Sequence, residues 1–327
     1  MGKAVADTIR GHASPVEALP PGVRGGPRIG YPPAMLLLVD LDGVVYRGRV
    51  PVPGVAAVLA DRVARGDDVV YVTNMAAHYR ADYVPRLESM GAPVTADRIV
   101  SSARATALHL ANHAPQGARV LVLGAPGLRR ELAEVGLDVL DAGERATLLA
   151  EHAARTGGVA SLDEEFEITG RPAYVVVGLD QDLTYGKLTV AAIAIRAGAR
   201  FIATNRDPAL PTERSLRPGA GSIVAALETT TGIRPTSIGK PAPEIMEEAA
   251  RLVGIPAGDA IMIGDGLGTD IGAAHAVGAR SILMLTGVTS RSQLEGLPAS
   301  ELPDEVAADA AELAIILERL SAGAGAS

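Results

Sequence analysis

Leu36-Leu37-Leu38-Val39-Asp40-Leu41-Asp42-Gly43-Val44-Val45-Tyr46 is the stretch on which the reading of the whole chain turns. An apolar run of strand length enters two acids separated by one leucine, and a glycine follows at once. Such a run reads as a strand buried on both faces of a parallel sheet, with its acids at the C-terminal end. Open α/β sheets bind their ligands at that end. Gly43 permits a bend after the strand that would give Asp40 and Asp42 one shared site. One carboxylate could then attack while the other handles a proton or a metal. Alone, Asp-x-Asp-Gly suits a solvated turn equally well.

Composition narrows the classes. The 327 residues are 48% hydrophobic and 21% charged, ordinary for a globular chain and long enough for two medium domains. Absence of cysteine excludes a disulfide framework, a thiolate zinc site and a cysteine nucleophile, and suits a reducing cytoplasm. A net charge of −8 argues against nucleic-acid and anionic-membrane partners, whose binding rests on clustered Lys and Arg. A small anionic substrate needs only a local positive pocket. Residues 1–33 mix Gly, Pro and scattered charge without the apolar core of a signal peptide, and are expected to form a flexible arm. Residues 321–327 read as a disordered tail.

Taken in order, the chain alternates strand and helix. Pro53 to Arg65 carries apolar residues at helical spacing and closes at Gly66. Asp68 to Asn74 is a second buried strand, so the crossover sets Thr73 beside Asp40 at the same sheet edge. A helix over 79–90 and a short strand at 99–102 follow. From Arg104 a fresh alternation begins with no Pro/Gly linker, which indicates an inserted domain rather than a tandem one. Its strands are expected at 119–124, 137–140, 174–180 and 200–204, and residues 141–171 carry too weak a pattern to read. Pro218-Gly219-Ala220-Gly221-Ser222 opens a helix; its glycines suit a tight turn better than an anion cradle.

Lys240 lies between Gly239 and Pro241, which hold its backbone ahead of a helix. A further buried strand ends as Gly264-Asp265-Gly266-Leu267-Gly268-Thr269-Asp270. Gly266-x-Gly268 lacks the third glycine of a dinucleotide loop, and an acid stands where pyrophosphate would sit, so a metal site is the better reading. Carboxylates converging from several strand ends repel unless a cation and a lysine neutralise them, and hard oxygen donors suit magnesium.

This set, in this order, resembles the haloacid dehalogenase (HAD) superfamily of phosphotransferases from about Leu36 to Leu285. Asp40-x-Asp42-Gly43, Thr73, Lys240 and Gly264-Asp265-x-x-x-Thr269-Asp270 match its four motifs. Val44-x-Tyr46, Gly178-x-Asp180 with Tyr185-x-Lys187-Leu188, Thr204-Asn205-x-Asp207-x-x-Leu210-Pro211 and Gly239-Lys240-Pro241 are similar to the subfamily with a large α/β cap, which includes NagD-type and p-nitrophenyl phosphate phosphatases. One departure is Met75, where that subfamily usually has a second asparagine able to hydrogen-bond a substrate.

The resemblance implies an α/β fold: a Rossmann-like parallel-sheet core over 34–101 and 236–320, and an inserted cap over 102–235. It implies Mg2+-dependent hydrolysis of a small-molecule phosphate ester of sugar, polyol or glycolate type. Asp40 would be the nucleophile, Asp42 the acid and base, and Thr73 and Lys240 the groups that stabilise phosphoryl charge. Asp40, Asp265, Asp270 and Asp42, the last through its carbonyl, would serve the metal. Gly43, Asn74, Asp180 and Asn205 are the expected substrate contacts. The Asp180 strand end would choose the leaving group, and capping of the next helix is the other reading of Asp180. A homodimer through the cap is the expected assembly. A non-hydrolytic binding or regulatory protein on the same scaffold, or phosphotransfer to an acceptor other than water, stay open as alternatives.

Overall fold

In a computed structural model that describes residues 34–157, 161–211 and 215–324, Leu36–Val39 is an inner strand of a six-stranded sheet. The sheet is wholly parallel in the order Glu305–Ala307, Arg280–Met284, Ala260–Gly264, Leu36–Val39, Asp68–Thr73, Ile99–Ser101. The arm expected over 1–33 lies outside the described residues, as do 325–327 of the expected tail. The last helix, Ala310–Ala324, runs through the first four tail positions, so helix replaces the disorder expected there.

The segment between Ile99–Ser101 and Ala260–Gly264 builds a second parallel sheet, in the order Thr236–Ser237, Arg200–Ala203, Tyr174–Val177, Arg119–Leu123, Asp138–Asp141. This is the Rossmann-like core and α/β cap of the expected fold class. Thr236–Ser237 pairs with the second sheet, so the edge of that sheet reaches two residues past the boundary expected at 236.

Alternation along Leu36–Val39 feeds two apolar layers. Leu37 and Val39 pack with Val55, Leu59, Leu313 and Leu317 on one face. Leu36 and Leu38 face a layer shared with the second sheet through Ala103, Leu110, Leu128, Leu132, Val120, Val122, Ile245 and Met246. The far face of the second sheet packs on Val190, Ala194, Val224 and Leu227. The helices Ser102–His113, Pro126–Glu134 and Pro243–Arg251 therefore lie in the apolar layer common to both sheets.

Residues 141–171, unread in the sequence, hold two helices with plain start signals. Asp141 caps Ala142–Thr156 by accepting from the N–H groups of Gly143 (2.7 Å) and Glu144 (3.1 Å), and Ser161 with Glu164 forms a capping box on Leu162–Ile168. The glycines of Pro218-Gly219-Ala220-Gly221 form a close backbone contact. The Gly219 and Gly221 N–H groups donate to the carbonyls of Pro208 (3.0 Å) and Asp207 (2.9 Å), which leaves neither for an anion. A Cβ on Gly221 would lie 2.2 Å from the Arg206 carbonyl oxygen. Gly221→Ala is therefore expected to lower stability in urea by about 1–3 kcal/mol, the usual range for overpacking, and added phosphate should not restore it. An unchanged urea midpoint would contradict this account of the turn.

Candidate active site

Asp40 follows the inner strand, and its N–H donates to the Ile263 carbonyl (2.9 Å) of the neighbouring strand. The chain then turns: the N–H groups of Val45 and Tyr46 both reach the Leu41 carbonyl, and Gly43 takes φ +89°, which a side chain would strain. Gly43 also gives up its side chain for space. A Cβ there would stand 2.2 Å from Asp265 Oδ2, and one on Gly287 would stand 1.7 Å from it. The Asp265 carboxylate is thus boxed between two glycines, and it accepts the Val288 N–H at 2.7 Å. Thr286 closes the box by donating its hydroxyl to the Gly43 carbonyl at 2.6 Å.

Lys240 joins the strand ends. It is 3% exposed, and its Nζ donates to Asp40 Oδ1 (2.5 Å), Asp270 Oδ1 (2.6 Å) and the Val72 carbonyl (3.2 Å). All three ammonium donors are used. Asp270 is turned inward by a π-turn over Leu267–Ile271, and its other oxygen accepts from the N–H groups of Gly266 (2.9 Å) and Asp265 (3.2 Å). The backbone around Lys240 is fixed from the second sheet, since the Gly239 N–H donates to the Thr204 carbonyl at 2.7 Å. Asn74 Nδ2 donates to the Lys240 carbonyl at 2.9 Å.

Three buried carboxylates, Asp40, Asp265 and Asp270, face one ammonium, leaving a formal charge of −2 (three negative, one positive). Burial, with Asp270 and Asp265 adding to it against the opposing pull of Lys240, pushes Asp40 well above the usual carboxylate range. Burial and Asp270 push Asp265 up to about 6. Burial alone would lower the Lys240 ammonium, but Asp270 and Asp40 outweigh it and raise it. Each carboxylate offers an oxygen within 4.8 Å of the others, so the donor set and the uncompensated charge both fit a hard divalent cation.

The remaining expected residues sit around this cluster in different ways. Asp42 is exposed, and burial of part of its carboxyl raises it against the opposing pull of the Gly48 backbone and Arg86. Its side chain is not part of the carboxylate trio. Thr73 is buried, and its hydroxyl oxygen accepts the Met75 N–H at 3.2 Å. The Met75 carbonyl accepts the Tyr83 hydroxyl at 3.1 Å, so its backbone is held although its side chain offers no polar group. Asn74 and Asn205 form a junction between the sheets. Asn205 Nδ2 donates to the Asn74 carbonyl (2.7 Å), Ser102 donates to the same oxygen (2.6 Å), and Asn74 Nδ2 also reaches both Asp207 oxygens (3.1 and 3.2 Å). Asp180 is taken up by Lys187 Nζ (2.9 Å) and the Asp182 N–H (2.9 Å), and the next helix is capped by Thr184 instead.

Ser102 and the Thr286–Val288 turn belong to this framework and were not singled out from the sequence, and Asp207 was marked there only as a motif position without a role. Thr286-Gly287 at the end of an apolar strand was the available signal for the last of these. A model of haloacid dehalogenase-like hydrolases matches residues 37–138, and a HAD-hydrolase-like model matches 237–313. The 5'-nucleotidase YutF of Bacillus subtilis is 35% identical over 257 residues, covering 79% of this chain and 89% of that protein. The chain belongs to the haloacid dehalogenase-like hydrolases. The D-glycerol 3-phosphate phosphatase of Mycobacterium tuberculosis is 40% identical over 78% of this chain and 64% of its own length. A crystal structure of a glycerol phosphate phosphatase from that organism in complex with magnesium superposes with a TM-score of 0.71 at 37% identity, covering 86% of this chain and 76% of that one.

This HAD-family cluster makes stability pH-dependent when no cation is present. An acid whose folded value is raised favours the folded state at low pH and loses that contribution as pH rises through the folded value, here about 6 for Asp265. In chelator at pH 7, Asp265→Asn should therefore be more stable than the parent by about 1–3 kcal/mol, from a shift of roughly two units. The gain should shrink toward pH 4. Calorimetry showing Asp265→Asn less stable than the parent at pH 7 in chelator would contradict the charge account.

Proposed function

We propose that this chain is a magnesium-dependent phosphatase of small phosphate monoesters that works through an aspartyl-phosphate on Asp40. The observation that carries the reading is Lys240 held between Asp40 and Asp270 inside a carboxylate trio, because that arrangement orients one carboxylate while neutralising part of its charge. Lys240 occupies Asp40 Oδ1, which leaves Oδ2 to attack phosphorus. As the P–O bond to the leaving alcohol breaks, Asp42 gives that oxygen its proton, and the raised Asp42 carboxyl suits an acid. In the second half-reaction Asp42 takes a proton from water as the water oxygen attacks phosphorus, releasing phosphate and restoring the Asp40 carboxylate.

Lys240 and the Thr73 hydroxyl, whose hydrogen is free to point outward, stabilise charge on the phosphoryl oxygens. Asp40, Asp265 and the Asp42 carbonyl, with Asp270 supporting, would hold magnesium, which would supply charge neutralisation and Lewis-acid polarisation of the phosphoryl group. The relatives named for nucleotide and glycerol phosphate hydrolysis support a small phosphate ester of nucleotide, sugar or polyol type. The second sheet, between the second and third motifs, is the cap that selects the leaving group. Its Ala142–Thr156 helix and the start of Tyr185–Arg196 leave Leu148, Leu183 and Tyr185 exposed, apolar groups that a cap-mediated homodimer would cover. Both Asp40 and Asp42 are in place, which favours hydrolysis over a binding protein.

Asp40→Asn keeps the volume and removes the nucleophile, so phosphate release should fall by at least a thousandfold with folding retained. Release within tenfold of the parent, about 1.4 kcal/mol of barrier, would refute the assignment. Asp42→Asn should cost far more with an alkyl phosphate than with p-nitrophenyl phosphate, whose leaving group needs little protonation. Equal losses on both would argue against Asp42 as the acid.

A further inference from the structure

A second group of metal-ligating side chains lies outside the phosphate site. His109 and His113 stand one helical turn apart on Ser102–His113, their rings stacked with centroids 4.3 Å apart. Glu248, 3% exposed, faces them from Pro243–Arg251. A ligand atom from each of the three lies within 4.8 Å of the others. We infer that His109, His113 and Glu248 form a binding site for a transition-metal dication of the zinc type, one that fastens the first helix of the inserted segment to the helix following Lys240.

Three features of the chemistry support this. His113 Nδ1 lies 2.8 Å from the His109 carbonyl, and a carbonyl can only accept, so Nδ1 carries the hydrogen and Nε2 keeps its lone pair for a ligand. A metal-binding histidine is commonly oriented in this way, by a hydrogen bond from its other nitrogen. The His109 ring nitrogens make no hydrogen bond among the described residues, although the ring is half-buried. Glu248 Oε2 is taken up by Arg251 (2.5 Å) and Asn112 (3.2 Å), whereas Oε1 has only a 3.5 Å contact with Asn112 and is the oxygen available to an ion.

Two imidazoles and one carboxylate select a borderline cation over magnesium. A tetrahedral ion with legs of about 2.1 Å sets its ligand atoms about 3.4 Å apart, so from separations within 4.8 Å the three side chains need close by at most about 1.4 Å. The fourth position is then open to water. Arg251 is the opposing charge, but its side chain is half exposed and can swing away. Because magnesium prefers all-oxygen donors, the two sites are chemically separable.

The test is a titration of the full-length, magnesium-saturated protein with cobalt(II), followed by displacement with zinc. One equivalent should give the intense visible absorption of a four-coordinate ion with nitrogen donors, which six-coordinate cobalt in an all-oxygen site does not, and zinc should abolish it. Zinc should also raise the thermal midpoint. His113→Ala changes an exposed residue and should weaken cobalt binding at least tenfold without lowering the midpoint measured in chelator. Glu248→Gln should do the same to binding. No four-coordinate spectrum in the parent, or an unchanged spectrum and affinity in His113→Ala, would overturn the site.

Discussion

One ammonium shared by two buried carboxylates sets the geometry of this protein's candidate active site. Lys240 cannot be solvated where it lies, and neither can Asp40 or Asp270, so each is tolerable only in the company of the others. The partners arrive from three places: the end of the inner strand, a π-turn after its neighbour, and the chain returning from the second sheet. Removing the lysine would leave two uncompensated charges in an apolar setting already short of positive charge. The same shortage fits the trio to a cation, because a dication would complete what one ammonium leaves undone.

That dependence explains how closely the two sheets are joined behind the site. Lys240 is delivered by backbone bonds to the edge of the second sheet, while its ammonium belongs to the first, so its position transmits the placement of one to the other. The junction is tied by the Asn74 carbonyl, which receives Ser102 and Asn205 together, and by Glu131, fully buried, which accepts the Arg80 N–H (2.9 Å) and pairs with the Arg80 and Arg104 side chains. Gly127 allows the helix Pro126–Glu134 to press on the backbone at His78 and Tyr79, where a Cβ would stand 2.5 Å away. These contacts sit beside Thr73 and Met75, so the segment bearing the subfamily departure is held by its backbone rather than by its side chain.

Much of this was legible because buried parallel strands announce themselves as unbroken apolar runs, and their functional ends as acids, hydroxyls or lysine next to glycine. Asp40, Thr73, Lys240, Asp265 and Asp270 all follow from that rule. What the sequence concealed depends on packing between distant segments. Gly287 shows its purpose only when Asp265 is found against it, and Asp207, a motif position with no role assigned, only when Asn74 reaches it. Asn205 and Asp180 were marked by pattern as substrate contacts, yet their amide and carboxylate are occupied by the Asn74 carbonyl and by Lys187. The helices of 142–168 escaped because they bury almost nothing, and only their caps, Asp141 and Ser161, mark them.

The central claim is that phosphorus is transferred to Asp40 before it reaches water. Rapid acid quench during turnover of a phosphate monoester, followed by borohydride reduction and peptide sequencing, tests it directly, because an acyl phosphate is reduced at the residue that carries it. The account predicts homoserine in place of aspartate at position 40, and at no other carboxylate. Reduction at Asp42, Asp265 or Asp270, or a turning-over protein that never yields a reducible acyl phosphate, would contradict it.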